Sequence, residues 1–289
     1  MTRVLFACML ALNAIIFSTP RSDSTITIGY ATADFTMAKA AGFEFAEVRI
    51  REFMKLSDGD FDKFVMECHA TDLPLTTGYW LFPAELMVVG PDVRMDALTS
   101  YLVKALDRSQ RLGVKFVVWG SGDARRAPEG FSKARAFDQL VALGRFLAPE
   151  AQRRGMIIVA EPLRRQESNT INSAAEGLQW VEAVDHPGFQ LLVDLFHMNE
   201  VHEDAAIIVK AGAHIVHTHV SNPIGRVLPL SADEFDYAPY FKALNRIGYH
   251  GTMTVETTAV DIPRDGAKSI QFLRAAYAAA GRQVASEAP

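Results

Sequence analysis

Eight short runs of β-branched and apolar residues recur along this chain, at positions 25–30, 45–50, 73–77, 116–119, 156–161, 191–194, 214–220 and 252–256. Longer stretches with apolar residues at helical spacing lie between them, among them 96–112, 133–154, 174–184, 237–247 and 265–280. Gly42, Gly113, Gly155, Gly212 and Gly248 each follow a helical run and precede a strand, where a left-handed helix cap is wanted. Strands that alternate with helices form a parallel sheet, and eight is the number that closes it. An open doubly wound sheet is the competing layout. It calls for a glycine-rich turn after the first strand, where this chain has Tyr30-Ala31-Thr32-Ala33-Asp34. The expectation is therefore an α/β protein made of a single (β/α)8 TIM barrel. Its 289 residues fit one such barrel of roughly 250 residues with short extensions.

The ends read differently from the middle. Arg3, the apolar run 4–17, Pro20 and the polar 21–24 have the layout of a secretory signal peptide, with Ser22 and Ser24 as small residues before a cleavage point. The alternative is an N-terminal extension packed on the barrel. The division is thus 1–24 as signal peptide or extension, 25–281 as barrel, and 282–289 as a frayed C-terminal tail. Cleavage implies a periplasmic or secreted protein, and retention a cytoplasmic one. The two cysteines, Cys8 and Cys68, cannot staple a chain this long, and Cys68 reads as a small buried apolar group. A formal charge of −5 without a basic run argues against a nucleic-acid partner. After the first twenty residues no apolar stretch is long enough to span a membrane. Self-association into a homo-oligomer is left open.

Ionisable residues gather where the last four strands stop. Strand five ends in Glu161, strand six in Asp194, strand seven runs into His219 and strand eight ends in Glu256, at spacings of 33, 25 and 37 residues. Each spacing is about one strand–helix unit, so the four side chains stand side by side at the C-terminal rim, the face where barrels carry their active sites. Taken singly, each is as well explained by a helix cap or a solvated group. Three carboxylates and an imidazole converging on one rim would repel each other and lose hydration unless a cation sat between them. Such a donor set suits Mn²⁺ first, then Mg²⁺, with Co²⁺ or Zn²⁺ as further candidates.

These residues also carry a family resemblance. Glu161-Pro162-Leu163-Arg164-Arg165-Gln166-Glu167 with Asn169 and Asn172, Asp194-Leu195-Phe196-His197-Met198, His217-Thr218-His219, and Gly248-Tyr249-His250-Gly251 leading to Val255-Glu256 resemble successive motifs of the sugar isomerase/epimerase superfamily with the xylose isomerase-like barrel. Gly120-Ser121-Gly122-Asp123-Ala124-Arg125 resembles the loop after its fourth strand. The nearest motifs are those of ketose 3-epimerases and hydroxypyruvate isomerase-like members. The resemblance implies that Glu161, Asp194, His219 and Glu256 hold a metal, that Glu167 and His197 contact substrate, and that an arginine after the third ligand assists. Arg226 is the candidate, although Ser221-Asn222-Pro223-Ile224-Gly225-Arg226 stands where the family places an acidic residue and a Pro-Gly-x-Gly stretch. The implied activity is metal-dependent sugar isomerisation or epimerisation through an enediolate, with Glu161 and Glu256 as the proton-transferring pair. Rival readings are a dehydratase of an inositol- or shikimate-type substrate on the same barrel, an endonuclease IV-type nuclease, and a non-catalytic sugar-binding barrel. Beside the main set, His217 is expected to support His219 from within the barrel, Glu47 is a further rim carboxylate, and Tyr79-Trp80-Leu81-Phe82 could face a sugar. Arg125 is read as an anion-binding cation or a structural ion pair.

Overall fold

Strand-forming residues and helix signals alternate as the sequence requires, and the computed structural model describes residues 26–258 and 260–287. The signal-peptide or extension assignment for 1–24 lies outside the described residues. The elements run β1 (Thr27–Ala31), α1 (Phe35–Ala40), β2 (Phe45–Arg49), α2 (Ile50–Phe53), α3 (Asp58–Ala70), β3 (Thr77–Tyr79), α4 (Met95–Arg111), β4 (Phe116–Trp119) and α5 (Lys133–Gln152). They continue with β5 (Ile157–Ala160), α6 (Ala174–Val184), β6 (Phe189–Asp194), α7 (Leu195–Glu200), α8 (Ala206–Ala211), β7 (Ile215–Val220), α9 (Ala238–Arg246), β8 (Thr252–Val255) and α10 (Ile262–Glu287). All eight strands are parallel, and β8 closes on β1 through Thr27 opposite Thr252 and Tyr30 opposite Val255. The single (β/α)8 barrel is confirmed. None of the helices of the described residues is long and apolar enough to cross a membrane.

Two cores result. The larger lies between strands and helices, where Trp119 of β4 meets Trp180 of α6 edge-on at 4.6 Å and Phe189 of β6 at 6.1 Å. The smaller cluster, Ala31, Tyr79, Val118, Val159 and Leu192, draws one residue from each of five strands. Strand side chains alternate with period two. On β5 to β8 the positions sharing a face are therefore 157/159/161, 190/192/194, 215/217/219 and 252/254/256. Phe45 shows how tightly the barrel is filled: a Cβ at Gly29 of the neighbouring strand would collide with its ring.

Three expectations change. The third strand was predicted at 73–77 but pairs over Thr77–Tyr79, Thr77 opposite Glu47. Pro74 has no N–H for a ladder, so it contributes only its carbonyl, to Ala46 N. The last helix begins earlier than predicted and runs on to Glu287 rather than ending near 280. Residues 282–287 of the expected tail are helical, and Arg246 of α9 bonds Glu287 at 2.7 Å. Short helices α2, α7 and α8 add turns that the strand–helix alternation did not contain.

Trp180 is wholly buried in the aromatic contact that joins β4, β6 and α6. Trp180→Ala should lower unfolding free energy by about 3–5 kcal/mol, read as a fall in the urea midpoint with an unchanged slope.

Candidate metal centre

Strand termini deliver the site. Glu161 follows β5, Asp194 closes β6, His219 lies on β7 and Glu256 follows β8, all at the C-terminal end of the barrel. One ligand atom from each of the four lies within 4.8 Å of the others. Opposite ligands of a single ion sit roughly 4 Å apart, twice a metal–oxygen distance of about 2.1 Å, so small contractions would close the shell. His219 Nδ1 is 3.0 Å from Glu161 Oε1 and 3.4 Å from Glu256 Oε2. Asp194 uses Oδ1 to accept from Phe196 N at 2.8 Å, capping α7, and leaves Oδ2 without a hydrogen-bond partner. His219 Nδ1 is likewise buried without a hydrogen-bond partner. Two buried atoms left open in the middle of four donors are what a cation-binding set presents, and the residues fit a hard divalent ion.

Electrostatics agree. Burial raises the Asp194 carboxyl to about 6, against the opposing charge of Arg226. Burial also raises Glu161, with His219 opposing it. At Glu256 burial acts the same way, but the approach of His219 and the Arg226 guanidinium outweigh it and hold the group below the ordinary carboxylate range. Burial would lower His219, yet Glu47 and then Glu161 carry it well above the usual histidine value.

The residues expected to contact substrate surround this centre. His197, one turn along α7, lies 3.5 Å from Asp194 Oδ2 and 4.0 Å from Glu167 Oε2 through Nε2. Its Nδ1 accepts from Arg164 N at 3.3 Å. Arg226 reaches Glu256 at 2.8 Å and Glu167 at 3.3 Å. The turn that carries it is fastened by Asn222 N to Val227 O and by Thr258 N to Arg226 O, and Gly225 and Arg226 both take positive φ, 86° and 52°. Positive φ is uncommon for a residue with a side chain. The guanidinium is also stacked 4.5 Å from the Phe196 ring.

Several neighbours were not singled out by the sequence. Arg164 bonds Glu167 at 2.8 Å and Glu200 at 3.1 Å, although it stands inside the strand-five motif where it could have been read. Gly120 is required by close approach, since a Cβ there would collide with Glu161 Oε2. No sequence signal separates that glycine from a turn glycine. Arg125 does not face a ligand: it is fully buried and donates to the carbonyls of Trp119 and Glu161, with burial lowering it to about 10. It therefore supports the backbone that carries Glu161. His217 is occupied by Thr252 at 2.6 Å and Thr254 at 3.1 Å. Above the centre opens a cavity of about 310 Å³, reached by Glu161, Glu167, His197, Arg226 and Glu256 on one side and by Trp80 and Phe82 on the other. That is at the small end of ligand pockets, which run from roughly 300 Å³ upward.

Comparison with known proteins bears on the family and the fold. The family profile described as xylose isomerase-like TIM barrel matches residues 35–276. D-psicose 3-epimerase of Ruminiclostridium cellulolyticum is 28% identical over 222 residues, 74% of each chain. A probable ketose 3-epimerase of Synechocystis is 38% identical over 98 residues, 34% of this chain and 33% of that protein. Among solved structures, D-allulose 3-epimerase from Methylomonas superposes with a TM-score of 0.75 at 21% identity, covering 87% of this chain and 98% of that one, which speaks for the fold.

Metal binding should appear as stabilisation. Adding Mn²⁺ to chelator-treated protein should raise its melting temperature, equivalent to about 2.7 kcal/mol when free metal is a hundredfold above its Kd. Asp194→Asn and Gly120→Ala should each lose most of that rise; a full rise in both variants would remove the metal from this position.

Proposed function

This chain belongs to the xylose isomerase-like TIM barrel family and is an enzyme of the isomerase class, and we propose from there that it is a divalent-metal-dependent epimerase of ketoses acting beside the carbonyl, at carbon 3. The observation that carries this reading is the convergence of Glu161 and Glu256, from strands β5 and β8, on His219 Nδ1 at 3.0 and 3.4 Å, with both residues lining the cavity. Glu161, Asp194, His219 and Glu256 would hold the ion. When bound, it would polarise the substrate carbonyl and adjacent hydroxyl, acidify the intervening C–H and stabilise an enediolate.

The remaining steps belong to side chains. Epimerisation needs one group to take the proton from one face of a carbon and another to return a proton to the opposite face. Glu161 and Glu256 are suited to those roles because they come from different strands across the rim. Which of them acts first depends on the configuration of the substrate. Arg226 neutralises Glu256 and Glu167 and offers N–H donors toward the cavity. Burial and then Arg226 hold His197 well below the usual histidine range, and with Nδ1 accepting from Arg164 N its Nε2–H can donate one hydrogen bond to a hydroxyl without adding charge. Glu167, tied to Arg164 and Arg226, would bind a second hydroxyl. The aromatic wall formed by Trp80 and Phe82 would shield the reacting carbon from water.

Three measurements follow. With Mn²⁺ saturating and a panel of free ketoses in D₂O, proton NMR should show deuterium entering at carbon 3 of the turned-over sugar and both epimers accumulating. Metal uptake with no exchange on any ketose would move the substrate toward acids or inositol derivatives and overturn the epimerase reading. Glu256→Gln and Glu161→Gln should each lower turnover by at least about 10²–10⁴-fold, and unchanged turnover in either would remove that residue from proton transfer. Arg226→Ala should cut kcat/KM by roughly 10–100-fold, as expected for one charge-assisted hydrogen bond of about 1.5–3 kcal/mol.

A further inference from the structure

Glu47 has no place in the mechanism above, yet it is wholly buried in the middle of β2 inside the barrel. A carboxylate removed from water is costly unless a donor answers it. Its one hydrogen-bonding neighbour among the described residues is His219, whose Nε2 lies 3.3 Å from Glu47 Oε1 and 3.1 Å from Oε2. Oε2 has no further partner, and Thr77, opposite Glu47 on β3, leaves its own hydroxyl unpaired. The imidazole thus stands between two sets of carboxylates, Glu47 on the Nε2 side and Glu161 with Glu256 on the Nδ1 side. The ring is held from the side by His217, edge-on at 5.2 Å, and His217 is itself fixed by Thr252 and Thr254.

From this geometry we infer that Glu47 is a positioning residue: it accepts the Nε2–H of His219, fixes the tautomer and orientation of the ring, and so keeps Nδ1 bare and aimed at the cation. A neutral imidazole carries one proton, and only the nitrogen without it can bind a metal. With carboxylates on both faces, the proton could sit on either nitrogen. A buried acceptor with no other donor draws it to Nε2 and raises the basicity of Nδ1. The second metal-capable grouping of Glu47, His217 and His219 is accounted for in the same way. His217 has both nitrogens engaged by threonines and Glu47 faces the far side of His219, so this grouping is the support of the first centre rather than a second one.

The inference rests on the metal-centre reading of the site and is tested apart from turnover. Free Mn²⁺ is followed by electron paramagnetic resonance during titration of chelator-treated wild-type, Glu47→Gln and Glu47→Leu proteins, with circular dichroism and melting temperature recorded on the same metal-free samples. Glu47→Gln keeps the shape and removes the charge. Glu47→Leu removes the acceptor altogether and leaves the Nε2 side of His219 buried without a partner, which should lower the metal-free melting temperature. Both variants should keep the wild-type circular dichroism spectrum and bind Mn²⁺ about 10–100-fold more weakly, with Glu47→Gln, which keeps the shape and a carbonyl acceptor, melting close to wild type without metal. Affinity and stability moving apart in this way separates positioning from a packing role, which would lower the melting temperature and spare the affinity. Folded variants with wild-type affinity overturn the role given to Glu47 and leave the centre intact. A wild-type protein that takes up no Mn²⁺ overturns the centre and this inference together.

Discussion

Like charges gathered where water is scarce govern the mouth of this barrel. Glu161, Asp194 and Glu256 are shielded at the strand ends, Glu47 is buried further in on β2, and Glu167 stands half-buried beside the rim. The interleaved cations are Arg226 and, on the far side of Glu167, Arg164. His219 touches Glu47, Glu161 and Glu256. Removing one member of such a set leaves an uncompensated buried charge, worth about 3–5 kcal/mol. The rest of the fold offsets this strain with apolar packing. The Trp119–Trp180–Phe189 contact, the close-fitted Phe45 against Gly29, and Arg108 bonded to the carbonyls of Phe53 and Leu56 hold the strands and helices that deliver the charges. Preorganisation is the physical outcome: donors and acceptors are already aimed before any ligand arrives.

The part of this arrangement that was legible in the sequence is the part set by strand periodicity. Side chains on a strand alternate, and four successive strands stop at an ionisable residue, so Glu161, Asp194, His219 and Glu256 could be placed on one rim from spacing alone. The same parity puts Glu47 on the inner face of β2, and His217 one layer below His219. What periodicity does not encode was less visible. Pro74 delays the third strand until Thr77, so the connection after it begins at Trp80 rather than Gly78. Gly120 matters because of a carboxylate arriving from the next strand, a contact between residues forty-one positions apart that no local pattern records. Arg125 reads as a loop cation, and only tertiary packing shows that its guanidinium is spent on two backbone carbonyls.

The loops divide the labour. The end of the barrel built by β5 to β8 carries the charged chemistry, while the connections after β3 and β4 supply Trp80, Phe82 and Ser121 to the opposite wall. Ser121 accepts from Phe82 N at 3.0 Å, which locks the two connections together over the cavity. Trp80 takes a positive φ of 53° and lies 3.7 Å from the Arg51 guanidinium. Strain at a non-glycine residue persists only where surrounding contacts over-determine it, and here the cation–π contact and the paired connections do so. On the proposed reading, reaction type would follow from the strand ends and selection among substrates from how this wall is shaped.

Arg226 shows how far the two can be separated. The segment that carries it departs from the pattern that the related motifs would lead one to expect, since Pro223-Ile224-Gly225 precedes it and no acidic residue intervenes after His219. The guanidinium nevertheless reaches Glu256 and Glu167 and rests on Phe196, because the Asn222–Val227 pairing and the left-handed turn at Gly225 and Arg226 steer it there. An ion pair constrains where a charge must end, not the route by which the backbone brings it. A loop can therefore be rewritten around a fixed charge, and with it the outline of the cavity, while the carboxylates below stay where the barrel sets them. In this chain the loop sits against the cavity side of the centre, so on the proposed reading its altered course would bear on which substrate is recognised rather than on what is done to it.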